Sequence, residues 1–120
     1  MTEHTATPVD LPAAPPGIAA DPIMRRIKNE LSTIYGARLT GVVLYGSRAR
    51  RDNRPDSDID IMALIRNFDK TRDLNEQLFR LSDSVFRESG LELNIFARDE
   101  GALGRRTIFM HNVRQDGVRI

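Results

Sequence analysis

The sequence predicts an α/β domain: a small mixed β-sheet flanked by helices. Three observations carry this. Apolar residues alternate along the chain between a helical 3–4 spacing and short strand-like runs. The strand-like runs are separated by a polar loop in one place and by a helical stretch in another, giving the order α-β-turn-β-α-β-α. Asp, Pro and Gly fall where those stretches should start and stop.

The elements follow in order. "DPIMRRIKNELSTIYG" (21–36) reads as a helix: Asp21 caps it, Pro22 fits its first position and Gly36 closes it. Ile23, Ile27, Leu31 and Ile34 share one face. "LTGVVLY" (39–45) reads as a strand, and the unbroken apolar run Val42 to Tyr45 predicts burial on both faces. Residues 47–51 make one helical turn. "DIDIMALI" (58–65) is the second strand, with Asp58 and Asp60 on one face and Ile59 and Ile61 on the other. A longer helix over 70–88 keeps Leu74, Leu78, Leu81 and Val85 in register and stops at Gly90. "LELNIFA" (91–97) is the third strand and puts Glu92 and Asn94 on one face. A helix over 105–115 carries Ile108, Phe109, Asn112 and Val113 near one stripe, and "VRI" after Gly117 adds a short final strand. Tyr35 and Tyr45 read as core aromatics, and His111 as a capping or interfacial residue.

Before the first helix the composition changes. Residues 1–22 hold five of the six prolines and few large apolar side chains. Such a stretch buries too little surface to offset its ordering entropy, so 1–20 is expected to be a disordered or loosely docked tail ahead of one domain, 21–120. The 18 basic and 17 acidic residues nearly balance, which argues against sequence-specific nucleic-acid binding. There is no cysteine, so disulfides and thiolate metal sites are excluded. No apolar run is long enough for a membrane span and no secretory signal is visible, so a cytoplasmic location is expected.

The chemistry concentrates in "YGSRARRDNRPDSDID" (45–60), which carries four arginines and four aspartates. Gly46 lets a ligand approach the backbone closely. Ser47 is expected to cap the following turn, and Arg48 and Arg50 supply charge-assisted donors for phosphate oxygens. Gly46, Ser47, Arg48 and Arg50 thus form a candidate nucleotide-binding set. Asp58 and Asp60 stand two apart on a strand, so both carboxylates enter one small volume. Their repulsion is relieved by a divalent cation, and hard oxygen ligands beside phosphates suit Mg²⁺. Glu92 is the candidate third acid, as metal ligand or as the base that takes a proton from an attacking hydroxyl; Asn94 shares its face.

"GSRAR" at Gly46–Arg50, followed by "SDID" at Ser57–Asp60, resembles the minimal nucleotidyltransferases of the DNA polymerase beta superfamily. Their pattern is G-S-x-A-R-G, a short polar loop, S-D-x-D and an acid on a later strand. Within that group the chain is most similar to small single-domain antitoxins that accompany HEPN-domain toxins. The likeness runs over residues 21–120 and includes the closing "FMHNVRQDGVRI". It implies a polymerase beta-like fold and Mg²⁺-dependent transfer of AMP from ATP to a hydroxyl, in the antitoxin branch a tyrosine of the partner toxin. By position, Gly46 and Ser47 match the triphosphate-binding pair, Asp58 and Asp60 the metal-binding aspartates, and Glu92 the third acid. Two residues depart from the pattern: Arg51 stands where the family has Gly, and Glu stands at 92 where Asp is usual. Two rival readings are a binding module that neutralises a toxin by occlusion and an enzyme acting on a small molecule, for which a homo-oligomer would supply the missing wall.

Overall fold

A computed structural model describes residues 10–120. Its elements are α1 (Pro16–Ala19), α2 (Pro22–Tyr35), β1 (Leu39–Tyr45), α3 (Ser47–Arg50), β2 (Ile59–Ile65), α4 (Lys70–Asp73), α5 (Glu76–Ser89), β3 (Leu93–Asp99), α6 (Ile108–Asp116) and β4 (Val118–Arg119). The sheet order is β3-β2-β1-β4. β1 runs antiparallel to β2 and β4, while β2 and β3 are parallel, so the sheet is mixed as expected.

Strand alternation gives the sheet two different faces. One face carries Val42, Leu44, Ile59, Ile61 and Ala97 and packs against α2 and α5 through Ile27, Leu31, Leu81 and Val85. Burying each such Leu or Ile contributes about 1.5–3 kcal/mol. The other face carries Val43, Tyr45, Met62 and Leu64, which pack with Leu11, Ala102, Leu103 and, from α6, Met110 and Val113. The expected burial of β1 on both faces is therefore found.

Local chemistry sets the boundaries. Asp21 caps α2, its Oδ1 accepting the Ile23 and Met24 amides at 2.8 and 3.3 Å. The single helix expected over 70–88 is two. Asp69 caps α4 and Asn75 caps α5, and Leu74 between them leaves the helical region at ψ 87. Leu74 is therefore 40% exposed instead of joining the apolar stripe. The third strand starts two residues later than expected, and α6 starts at Ile108 because Thr107 caps it. α6 turns Met110 and Val113 inward and leaves Ile108 83% exposed, against the stripe expected from Ile108 and Phe109.

Of the expected tail, residues 1–9 lie outside the described residues. Residues 11–14 lie along β4. Leu11 is buried, the Ala14 amide donates to the Arg119 carbonyl at 2.7 Å, and the Arg119 amide donates to the Pro12 carbonyl at 2.8 Å. Among the described residues no helix is long and apolar enough to cross a membrane.

Candidate active site

The pairing of three strands places the site. Tyr45 at the end of β1 lies opposite Asp60 on β2, and Asp60 lies opposite Asn94 on β3. These three side chains share the sheet face that packs against α6, and strand alternation puts Asp58 there too. Immediately after Tyr45 the chain turns through Gly46 at φ 79, ψ −156, and enters α3. A Cβ on Gly46 would stand 2.5 Å from Asp60 Oδ2. Gly46 is thus required twice, for its positive φ and for the space the carboxylate occupies.

Asp58 and Asp60 do converge. The Asn94 side-chain amide donates to Asp60 Oδ1 at 3.1 Å and to Asp58 Oδ2 at 3.4 Å, so one neutral group bridges both carboxylates. Asp58 is exposed and Asp60 half-buried. Among the described residues neither aspartate forms a salt bridge. Two close carboxylates without a compensating cation, beside a backbone that only Gly permits, suit a hard divalent ion whose other ligands are phosphate and water. The donor set therefore fits Mg²⁺ with two carboxylates. It does not assemble a trio: no group of three or more His, Cys, Asp or Glu with metal-holding geometry is found among the described residues. The Glu92 carbonyl accepts the Ile59 amide at 2.9 Å, and its side chain is exposed ahead of β3.

The loop between the glycine turn and the aspartates is braced by the arginines. Ser47 is the first residue of α3 and makes no capping bond, because the cap position is Gly46. Arg48 donates through Nε and Nη2 to the Ser57 carbonyl at 3.1 and 2.8 Å and through Nη2 to the Pro55 carbonyl at 3.1 Å. It is a strut that fixes the approach to Asp58. Arg50 pairs with Asp52 at 3.0 Å and Asp116 at 3.1 Å, and those bonds, first the one to Asp52, hold its pKa above the ordinary arginine value. Arg51 ends α3 in the left-handed region at φ 63, ψ 30, the conformation for which glycine is favoured.

Further along the same face lies an aromatic group that the sequence reading passed over. Phe109 meets Tyr45 edge-on at 5.6 Å between centroids and Phe96 at 6.0 Å, and the Arg98 guanidinium sits 5.3 Å from the Phe96 ring centre. Phe96 and Arg98 follow Asn94 at two-residue steps, so strand alternation would have found them. Burial pushes the Tyr45 phenol up to about 12, with the Asp60 charge adding to it, so Tyr45 keeps its proton.

Comparison with known proteins identifies the family and the fold. The nucleotidyltransferase domain family matches residues 24–102, a span that includes Gly46, both aspartates and Asn94. A protein of Methanocaldococcus jannaschii described as a candidate protein adenylyltransferase is 39% identical over 44 residues, which is 37% of this chain and 44% of the relative. The chain thus matches less than half the length of that relative. Among solved structures, a tyrosine-to-alanine variant of the MntA–HpeT toxin–antitoxin complex aligns at TM-score 0.56 and 18% identity, over 80% of this chain and 69% of that one. A double aspartate-to-glutamate variant of the same complex aligns at 0.53 and 16%, over 79% and 69%. A toxin–antitoxin structure with AMP-PNP aligns at 0.50 and 16%, over 77% and 70%. The chain belongs to the nucleotidyltransferase domain family, and its fold is polymerase beta-like.

Proposed function

We propose that the protein is a Mg²⁺-dependent nucleotidyltransferase that moves AMP from ATP to a tyrosine hydroxyl of a partner toxin of the HEPN class, and so acts as its antitoxin in the cytoplasm. One observation carries the reading: Asp58 and Asp60 converge beneath the Gly46 turn with only the neutral Asn94 amide between them. The protein adenylyltransferase description of one relative and the toxin–antitoxin setting of the structural neighbours support the choice of acceptor.

In this reading Asp58 and Asp60 hold the ion. When bound, Mg²⁺ withdraws charge from the phosphate oxygens and the leaving pyrophosphate. Gly46 and Ser47 border the triphosphate, and Gly46 lets it approach the backbone. Arg48 keeps the 51–57 loop, and with it Asp58, in place. The acceptor oxygen bonds to the α-phosphorus, the bond to the bridging oxygen breaks, pyrophosphate leaves and the hydroxyl proton passes to solvent water. Tyr45, Phe96 and Phe109 keep water from one side of the site. Glu92, exposed ahead of β3, is not among the ion's ligands in this reading.

The test is incubation with α-³²P-ATP, Mg²⁺ and the protein encoded beside this one. Label on the partner's tyrosine, lost with Asp58→Ala, is the expected result. One observation supports a rival reading: no group of three or more acids comes together among the described residues, which suits a module that neutralises its toxin by occlusion. Neutralisation by Asp58→Ala with no label transferred by the wild type would replace the enzyme with that binder.

A further inference from the structure

Resting on the reading above, we propose that Asn94, and not Glu92, takes the third place in the cation site. The site is then two carboxylates and one amide, and it fills only weakly unless the nucleotide brings its own phosphate charge.

Two independent observations put Asn94 there. In the parallel β2–β3 register Asn94 is the residue opposite Asp60, while Glu92 precedes β3 and gives only its carbonyl to Ile59. The Asn94 side chain touches both aspartates, at 3.1 and 3.4 Å. Glu92 is exposed, and no trio of acids forms among the described residues.

An amide at this position behaves differently from a carboxylate. Its NH₂ group donates to both aspartates, which holds the pair together without a cation. Its oxygen, one rotation about the terminal torsion away, is a neutral ligand of the kind hard cations accept. A carboxylate could do only the second, and would add a third negative charge to the empty site. The amide therefore trades cation affinity for a carboxylate pair that is already in position. Affinity in oxygen-ligand sites follows the charge count of the ligands, so two charges bind a free divalent ion less tightly than three. The triphosphate supplies the missing charge, and cation and nucleotide load together.

The test is titration of Mn²⁺, as a paramagnetic probe, into the nucleotide-free 120-residue chain, read by electron paramagnetic resonance. Asp60→Asn is expected to weaken binding by on the order of 10-fold or more, as loss of a charged ligand should. Glu92→Gln, an exposed position that does not threaten folding, should leave it within about 2-fold, since no ligand is lost. Asn94→Asp should tighten it by about 10-fold. Adding a non-hydrolysable ATP analogue should tighten the wild type more than Asn94→Asp. If Glu92→Gln weakens binding as much as Asp60→Asn does, Glu92 is the third ligand and the inference falls while the catalytic reading stands. If Asp60→Asn has no effect, the aspartate pair holds no cation and both fall. If Asn94→Asp leaves Mn²⁺ binding unchanged, Asn94 is no ligand and the inference falls. Should that variant not fold, Asn94→Ala is read in its place, with binding weakened by several-fold expected and unchanged binding overturning the inference.

Discussion

The β1–β2 pair carries carboxylates near both of its ends, wired in opposite ways. At one end Asp73 is 2% exposed and fully satisfied. Arg38 grips it through Nη1 at 3.0 Å and Nη2 at 2.5 Å, Arg72 adds a bond at 3.2 Å, and the Asp69 amide donates at 2.8 Å. Tyr35 Oη donates to its carbonyl at 2.7 Å. At the other end Asp58 and Asp60 share one amide and no cation among the described residues. Asp73 has its partners built in, whereas Asp58 and Asp60 would meet a charged partner only in the proposed complex. The Asp73 carboxyl is held well below the usual carboxylate range, chiefly by the Arg38 hydrogen bonds and against the opposing effect of its burial.

This contrast can be broken by mutation, and the largest effect is expected at the unsatisfied end. Asp60→Ala should lower the rate of AMP transfer by on the order of 10²–10³-fold, the scale for losing one electrostatic element of a site. Its thermal midpoint should stay near that of the wild type. Transfer is read from α-³²P-ATP label and stability from circular dichroism. Asp73→Ala should show the reverse. Removing a buried, multiply bonded carboxylate should cost about 2–3 kcal/mol of stability in urea titration, with residual folded protein still active. If Asp60→Ala unfolds the chain and Asp73→Ala does not, the two ends have been assigned the wrong way round.

Acid should act through Asp73 as well. Its folded pKa is depressed, so the stability it contributes is complete above the unfolded value near 3.8 and is lost as pH falls below it. The wild type should therefore lose stability between about pH 4 and pH 2 more steeply than Asp73→Asn, measured by denaturation at each pH.

Two smaller effects sharpen the comparison at the turn. Gly46→Ala meets both the positive φ and a carboxylate oxygen at 2.5 Å, and should cost about 1–3 kcal/mol while displacing Asp60. Arg51→Gly relieves a left-handed residue worth about 1–2 kcal/mol, less about 0.4–1 kcal/mol for the freer unfolded chain. A net gain of about 0.5–1 kcal/mol should raise the urea midpoint without changing the slope.

Much of this was legible in the residues. The strands announced themselves through Val42–Tyr45 and Ile59–Ile65, and the alternation around Ile59 put both aspartates on one face. The motif spacing located the site because two side chains at i and i+2 on a strand have little freedom to diverge. What stayed hidden depended on register and on long-range partners. Glu92 and Asn94 obey the same alternation, and only the pairing of Asp60 with Asn94 separates them. Arg48 and Arg50 read as phosphate cations because nothing local shows that Ser57, Pro55 and Asp116 engage them. The break at Leu74 was masked by a continuous apolar period, since the neighbouring Asp73 is held by Arg38, 35 residues earlier, a partner no local pattern shows.

The central claim is that the nucleotide binds at the Asp58–Asp60 end of the sheet. The most direct measurement is a ¹⁵N chemical-shift map of the free protein titrated with a non-hydrolysable ATP analogue and Mg²⁺. The account predicts shifts at Gly46, Ser47, Asp58, Asp60 and Asn94, and none at Arg38 or Asp73. Shifts confined to the Arg38–Asp73 end, or no saturable shift at Gly46 and Asp60, would contradict it.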